Sequence, residues 1–226
     1  MRLHNVMAWR ADSLWAHLTI QIVSVMIGAL LALYLSELAR SRAEQARVDV
    51  ALRQMVGELT DNRDNLRAPS KQVDELAQRL GRAVAFLSRP RNEVTPDERR
   101  AFFDSLKGEW SIKRETIPSS AWDAAVSTGA LTAVPPEILA DVSEAYSRQE
   151  EMAEWTVFFL QSFVEGVAGL VTLAEEGVSD DFRRQVARDL IEAQAAMTSL
   201  HAMMEAVLES YEEALESIPP RLHPVP

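Results

Sequence analysis

Residues 13–36 read SLWAHLTIQIVSVMIGALLALYLS and contain no Asp, Glu, Lys or Arg. About 20 mostly apolar residues in a helix span the hydrocarbon core of a bilayer. Trp15 and Tyr34 bracket the run. At 1.5 Å per residue they lie about 28 Å apart along a helix, close to the thickness of that core. Amphipathic rings favour the two interfaces, where both would then sit. The stretch predicts a single transmembrane helix near the N-terminus. A cleaved signal peptide has a shorter apolar core and a small-residue cleavage site. Here Leu35-Ser36-Glu37-Leu38 follows instead, so an uncleaved anchor is expected.

Working outward, the flanks set the expected orientation. Arg2 and Arg10 precede the anchor, whereas Arg40, Arg42, Arg47 and Arg53 follow it. Lys and Arg accumulate on the cytoplasmic side, so the bulk of the chain is expected in the cytoplasm. Within the anchor, His17, Gln21, Ser24, Gly28, Ala32 and Ser36 recur at spacings of four and three. Such residues share one helix face. Small residues there let two helix backbones approach in lipid, and Gln or His can hydrogen-bond across the seam. This stripe is the candidate surface for self-association or for a membrane partner. Against that reading stands chance, since small residues are common in membrane helices.

Beyond the anchor the apolar positions follow the helical period almost throughout. Val48, Leu52, Met55, Leu59 and Leu66 form a stripe with Asn62 as its polar exception. Proline disfavours helix in the residue before it, so this helix is expected to stop at Pro69. A second helix is expected from about Ser70 to Pro90 on Val73, Leu76, Leu80, Ala83 and Leu87. Thr95-Pro96-Asp97-Glu98 has the form of a capping box with proline in the first turn. Ser119 or Ser120 can cap a short helix around Trp122, with Gly129 as its end. Pro135-Pro136 opens a long helix expected to close at Gly177. Ser179 can cap the last one, with Asp180 and Asp181 in its first turn, where the helix dipole favours acids. In that last helix Val186, Leu190, Ala193, Met197, Leu200, Met204, Val207 and Tyr211 alternate steps of four and three, which suits bundle packing.

The expected fold is therefore all-α, an N-terminal transmembrane helix continuing into a soluble bundle of long antiparallel helices. The expected divisions are a flank (1–13), the anchor (14–38), the bundle (39–217) and a loose proline-rich tail (218–226). Residues 155–174 are apolar enough to suggest a second span. Gln161 and Glu165 argue instead for a core helix of the bundle, because a charge at mid-bilayer is costly.

Charge and composition exclude several classes. The chain has 226 residues, a net charge of −11 and no cysteine. Disulfides, thiolate metal sites and cysteine nucleophiles are thereby removed. Residues 135–217 carry four basic and eighteen acidic groups, so the acid excess belongs to the last two helices. Phosphate backbones are repelled by such a surface, and no nucleic-acid partner is expected. His4, His17, His201 and His223 are scattered, and neither a zinc-binding H-E-x-x-H nor a Glu-x-x-His pair for di-iron occurs. His201 and Glu205 share a helix face, but two groups are too few for a metal. Gly166 and Gly169 lie inside a helix and suggest close packing rather than phosphate binding. No catalytic, cofactor-binding or metal site is predicted. Trp122 reads first as an aromatic anchor for its short helix. The competing reading is a ligand pocket lined by Trp122 and Trp110.

Two segments carry a resemblance. ALYLSELARSRAEQ (residues 32–45) and AWDAAVSTGALTAVPPEILADVSEAY (residues 121–146) together resemble a family of bacterial single-pass membrane proteins of unknown function. Its members have a similar anchor, an Arg/Glu-rich helix and a small-residue segment. The resemblance implies a bacterial inner-membrane protein and assigns no catalytic residue. The expected function is a non-enzymatic scaffold or accessory subunit in a membrane assembly, bound to the lipid bilayer and paired with itself or a membrane protein. A sensory helical module and a ligand-binding protein with its pocket near Trp122 are the alternatives.

Overall fold

The structure, a computed structural model, describes residues 4–106, 110, 112, 116–173 and 179–223, with side chains from Gln21 onward apart from Ile22 and Val171. Among the described residues the fold is all-α, with no strand. The helices are α1 (His4–Leu87), α2 (Pro96–Ser105), α3 (Ser120–Thr128), α4 (Pro136–Leu173) and α5 (Asp180–Ser217). The chain divides into two compact units, Met1–Val50 and Ala51–Pro226. The expected closure of α4 at Gly177 lies outside the described residues.

The first unit is the N-terminal part of α1. Its described apolar side chains from Val23 to Leu38, among them Ile27, Leu30 and Leu33, are exposed. This is the one helix, among the described residues, long and apolar enough to cross a membrane.

The second unit is a bundle of three long helices: residues 51–87 of α1, α4 and α5. Contacts fix their directions. Ser70 and Gly81 of α1 meet His201 and Gln194 of α5, so numbers rise on one helix as they fall on the other. Gly166 and Gly169 of α4 lie against Ala193 and Val186 of α5 in the same opposed sense. By contrast, Glu58 and Asn62 of α1 meet Tyr146 and Gln149 of α4 in rising order. So α5 is antiparallel to both partners, while α1 and α4 run parallel. Parallel helices need a crossover, and residues 88–135, with α2 and α3, provide it. Leu59, Leu66, Val73 and Leu80 of α1, Val142 and Phe163 of α4, and Leu190, Met197, Leu200 and Tyr211 of α5 fill the core.

One expected boundary is absent. α1 does not end at Pro69, and no separate helix starts at Ser70; Pro69 lies inside the helix. An interior proline forfeits a hydrogen bond and clashes with the preceding turn, at about 3 kcal/mol. Here the carbonyl that loses its donor belongs to Asn65, an exposed residue, where water can take its place. On either side Leu66, Val73, Leu76 and Leu80 are buried. Each such side chain contributes about 1.5–3 kcal/mol, enough together to offset the proline.

The caps follow the local chemistry. Thr95 accepts from the Glu98 amide and Glu98 returns a bond to the Thr95 amide, a complete capping box with Pro96 beside it. The Thr95 amide and the Thr95 hydroxyl both donate to Glu98 Oε2, at 2.8 and 2.9 Å, and with Arg89 they hold the Glu98 carboxyl below its ordinary range. Gly129 ends α3 in the left-handed region at φ 69°, a conformation that favours glycine. The Ser179 hydroxyl accepts from the Phe182 amide at the start of α5.

Two further expectations need correction. The tail does not come loose at residue 218: Ile218 and Leu222 are buried, the latter in a short 3₁₀ turn. Two apolar side chains suffice to hold it, and residues 224–226 lie outside the described residues. Of the apolar segment 155–174, residues 155–173 belong to α4 and are a core helix on one face only. Phe163, Leu170 and Leu173 are buried, whereas Trp155, Val157, Phe158 and Val164 are exposed. The segment's apolar content is nearly all-round, and among the described residues α4 has partners for only part of its circumference.

Candidate functional site

The anchor stripe is built by helix periodicity alone. Gln21, Ser24, Gly28, Ala32 and Ser36 are all exposed. A methyl group built on Gly28 would meet nothing within 4 Å. The face is therefore free to receive a second backbone. His17 belongs to α1, but its side chain lies outside the described residues, as does that of Trp15.

In the bundle, the residues that do most were not among those singled out as sites. Glu58, on α1, collects donors from three residues. The Ser120 hydroxyl donates to it at 2.5 Å, the Ala121 amide at 3.0 Å and the Tyr146 hydroxyl at 2.8 Å. Ser119 occupies the cap position of α3 but makes no capping bond with its side chain; its hydroxyl goes to Asp123 at 3.2 Å. A carboxylate from another helix thus does the work of the cap. Negative charge at a helix N-terminus is favoured by the dipole, so the crossover is pinned to α1 where α3 begins.

One turn further along α1 lies a buried amide pair. Asn62 is wholly buried. Its Nδ2 donates to the Pro118 carbonyl at 2.8 Å and to Gln149 Oε1 at 3.2 Å. The Tyr211 hydroxyl donates to the same Gln149 oxygen at 2.7 Å. Gln149 Nε2 in turn donates to the Ile117 and Pro118 carbonyls at 3.2 and 3.1 Å. The amides join α1, α4, α5 and the crossover in one network. Asn62 Oδ1 is the atom left without a donor. Burial raises the Tyr146 phenol well above its usual range, and its bond to the Glu58 carboxylate adds to the effect. Burial raises Tyr211 too, again with a contribution from Glu58.

Trp122 and Trp110 belong to separate aromatic pairs. Trp122, half-buried, stacks on Tyr146 with ring centres 5.3 Å apart. Trp110 lies 6.2 Å from Phe163, beneath the Arg79 guanidinium, and its indole donates to the Leu106 carbonyl at 2.7 Å. A cavity of about 340 Å³ opens elsewhere, and neither tryptophan lines it. Leu66 and Pro69 of α1, Ile117 of the crossover, Thr156 and Leu160 of α4 and Met204 of α5 form much of its wall.

His201 and Glu205 share a partner. The Ser70 hydroxyl lies 3.1 Å from His201 Nδ1 and donates to Glu205 Oε1 at 2.5 Å. Ser70 is itself buried, so this trio ties α1 to α5 beside Pro69 and offers no accessible nucleophile. Among the described residues no three His, Asp or Glu side chains gather as a metal ion would require.

No protein-family model, no curated protein and no solved structure matches the chain.

The stripe was readable from spacing. The network left a fainter signal: Asn62 at a position where every neighbour in the stripe is apolar, and Gln149 at the corresponding place between Tyr146 and Met152. A polar group that the period places in a core needs a partner. Finding which partner takes the tertiary structure.

Proposed function

We propose that this is a single-pass membrane protein whose anchor associates, along His17, Gln21, Ser24, Gly28 and Ala32, with a second copy or with another membrane protein. The protein acts as a scaffold or accessory subunit without chemistry of its own. The observation that carries the reading is the open face at Gly28, flanked one turn away on each side by Ser24 and Ala32. Without a hydrophobic force between helices in lipid, close packing and interhelical hydrogen bonds drive association. Gln21 supplies such a bond on the same face.

The protein is placed by this reading in a bacterial inner membrane, with the bundle in the cytoplasm, on the arginine excess at positions 40–53. A rigid bundle then serves as the part presented to soluble neighbours.

A membrane two-hybrid reporter tests the association. Gly28→Leu places a bulky side chain where the backbones approach and should abolish the signal. Ile27→Leu, on another face, should leave it unchanged. An unaltered signal in Gly28→Leu would reduce the anchor to a tether. Paired C-terminal fusions to alkaline phosphatase and a fluorescent protein test the orientation; active phosphatase with a dark fluorescent fusion would reverse it.

A further inference from the structure

The uncovered side of α4 carries an aromatic cluster. Trp155, Phe158 and Phe159 touch pairwise, with ring centres 5.9, 6.1 and 5.7 Å apart. Trp155 and Phe158 are nevertheless 47% and 56% exposed. Single apolar side chains on a surface are ordinary, whereas a contiguous patch marks an interaction surface. Aromatic side chains, tryptophan above all, carry a large share of the binding energy at protein interfaces. Glu151, Trp155, Phe158, Ser162 and Glu165 follow one another in steps of four and three, so they lie on one face of the helix. The aromatic pair thus has a carboxylate beyond each end, and the two carboxylates stand about 21 Å apart along α4.

Charge selects the occupant. From Gln149 to Phe182 the sequence has eight acidic residues and no Lys or Arg. Glu151 and Glu165 are exposed. Among the described residues neither joins an ion pair; Glu165 accepts from Gln161 at 2.9 Å, and Glu151 has no partner. A second copy would set acid against acid on this face, and an anionic bilayer surface would be repelled in the same way. A basic partner meets both carboxylates and can place a cation over an exposed ring. Steps of four and three are the rows along which one helix packs on another, and amphipathic helices dock through apolar anchors at that spacing.

We infer that this face of α4 docks an amphipathic helix of a partner protein, with apolar side chains over Trp155 and Phe158 and a Lys or Arg opposite Glu151 and Glu165. Those two basic residues lie about fourteen residues apart in the partner helix. This inference does not depend on association through the anchor.

The test uses the full chain in phosphatidylcholine nanodiscs and two labelled peptides, with binding read by fluorescence anisotropy against empty nanodiscs. Both peptides are Ala- and Gln-rich helices with Leu in steps of four and three between two charged ends, about fourteen residues apart. One carries Lys at those ends and the other Glu. The Lys peptide should bind and the Glu peptide should not. Phe158→Ala should weaken the Lys peptide about ten-fold or more. Glu151→Lys with Glu165→Lys should weaken it about ten-fold or more and admit the Glu peptide. Glu213→Lys with Glu216→Lys, an equal change of charge at exposed positions of α5, should leave the Lys peptide within about two-fold. Failure of the Lys peptide to bind would overturn the inference, as would a loss in the α5 pair equal to that in the α4 pair. Ser162→Cys gives the sequence its one thiol. Disulfide-linked dimers through it would assign the face to a second copy, and quenching of a fluorophore on it by brominated lipid would assign the face to the bilayer. Either result overturns the docking of a partner helix.

Discussion

Two stretches of one helix, residues 23–38 and 51–87 of α1, have opposite surfaces. In the first, apolar side chains occupy nearly every position and stand exposed; Leu33 is 68% exposed. In the second, they occupy one face and are buried; Leu59 and Leu80 are 0% exposed. A continuous apolar surface calls for an apolar solvent around it. A periodic one calls for protein on one side and water on the other. Helix propensity is common to both and decides neither.

The comparison breaks most visibly in alkali. Tyr146 and Tyr211 have folded pKa values raised by burial. Their contribution to stability is complete below the unfolded value of about 10 and is lost as pH rises from there toward the folded values. Each raised group costs about 1.4 kcal/mol per pH unit over that interval. The bundle should therefore lose its near-ultraviolet circular dichroism above about pH 10, with phenolate absorbance appearing in the same transition. Far-ultraviolet signal from the anchor should remain. Phenolate absorbance rising near pH 10 while the bundle stays folded would contradict this.

Leu80→Ala removes a wholly buried side chain from the periodic stretch and should destabilise the bundle by about 2–5 kcal/mol. Leu30→Ala in the exposed stretch should leave bundle stability within about 0.5 kcal/mol. Denaturant titration followed by tryptophan fluorescence measures both. Equal effects would mean that the two stretches do not differ as described.

Glycines sharpen the contrast. A methyl group at Gly166 would meet the Ala193 side chain at 2.4 Å and the Asp189 carbonyl oxygen at 2.8 Å. The second obstacle is backbone, so α4 and α5 must separate, and Gly166→Ala should destabilise by about 1–3 kcal/mol. Gly28→Ala meets no neighbour and should raise the helicity of the isolated anchor slightly, by about 1 kcal/mol or less. Thermal melts of the full chain and circular dichroism of an anchor peptide give the two values.

The smallest effect belongs to Glu58→Gln. The amide keeps one acceptor oxygen for the α3 amide or the Tyr146 hydroxyl but loses the charge. A loss of about 0.5–1.5 kcal/mol is expected. It should be accompanied by a change in the near-ultraviolet signal of the Trp122–Tyr146 pair. An unchanged signal would show that the crossover is held without the carboxylate.

These contrasts also mark what could be read in advance. Thr95 with Glu98, Gly129, Pro136 and Ser179 were legible because each acts within one turn. The α5 stripe from Val186 to Tyr211 was legible because periodicity needs no knowledge of the partner. Pro69 was misread because its cost is local while the burial that offsets it, at Leu66 and Val73, depends on α4 and α5. The parallel pairing of α1 and α4 is set by where Glu58 and Asn62 meet Tyr146 and Gln149, contacts nearly ninety residues apart in sequence. Residues 155–174 were expected as a core helix, yet Trp155 is exposed, since hydrophobic character says that a side chain can be buried and not whether a neighbour exists to bury it. Of the candidate surface, the stripe at Gln21, Ser24, Gly28 and Ala32 needed only spacing, whereas the cavity by Pro69 is formed by four separate parts of the chain.

Because α5 packs against α1 and is synthesised after it, the order of synthesis matters. Ribosomes add about 5–20 residues per second. The apolar face of α1 around Val73 and Leu80 is complete on the order of 10 s before Ser217, the end of α5, is made. For that interval the nascent chain offers an uncovered apolar stripe to the cell. A ribosome-stalled chain ending near residue 175 should recruit general chaperones, and one extended past residue 223 with a linker that clears the exit tunnel should release them.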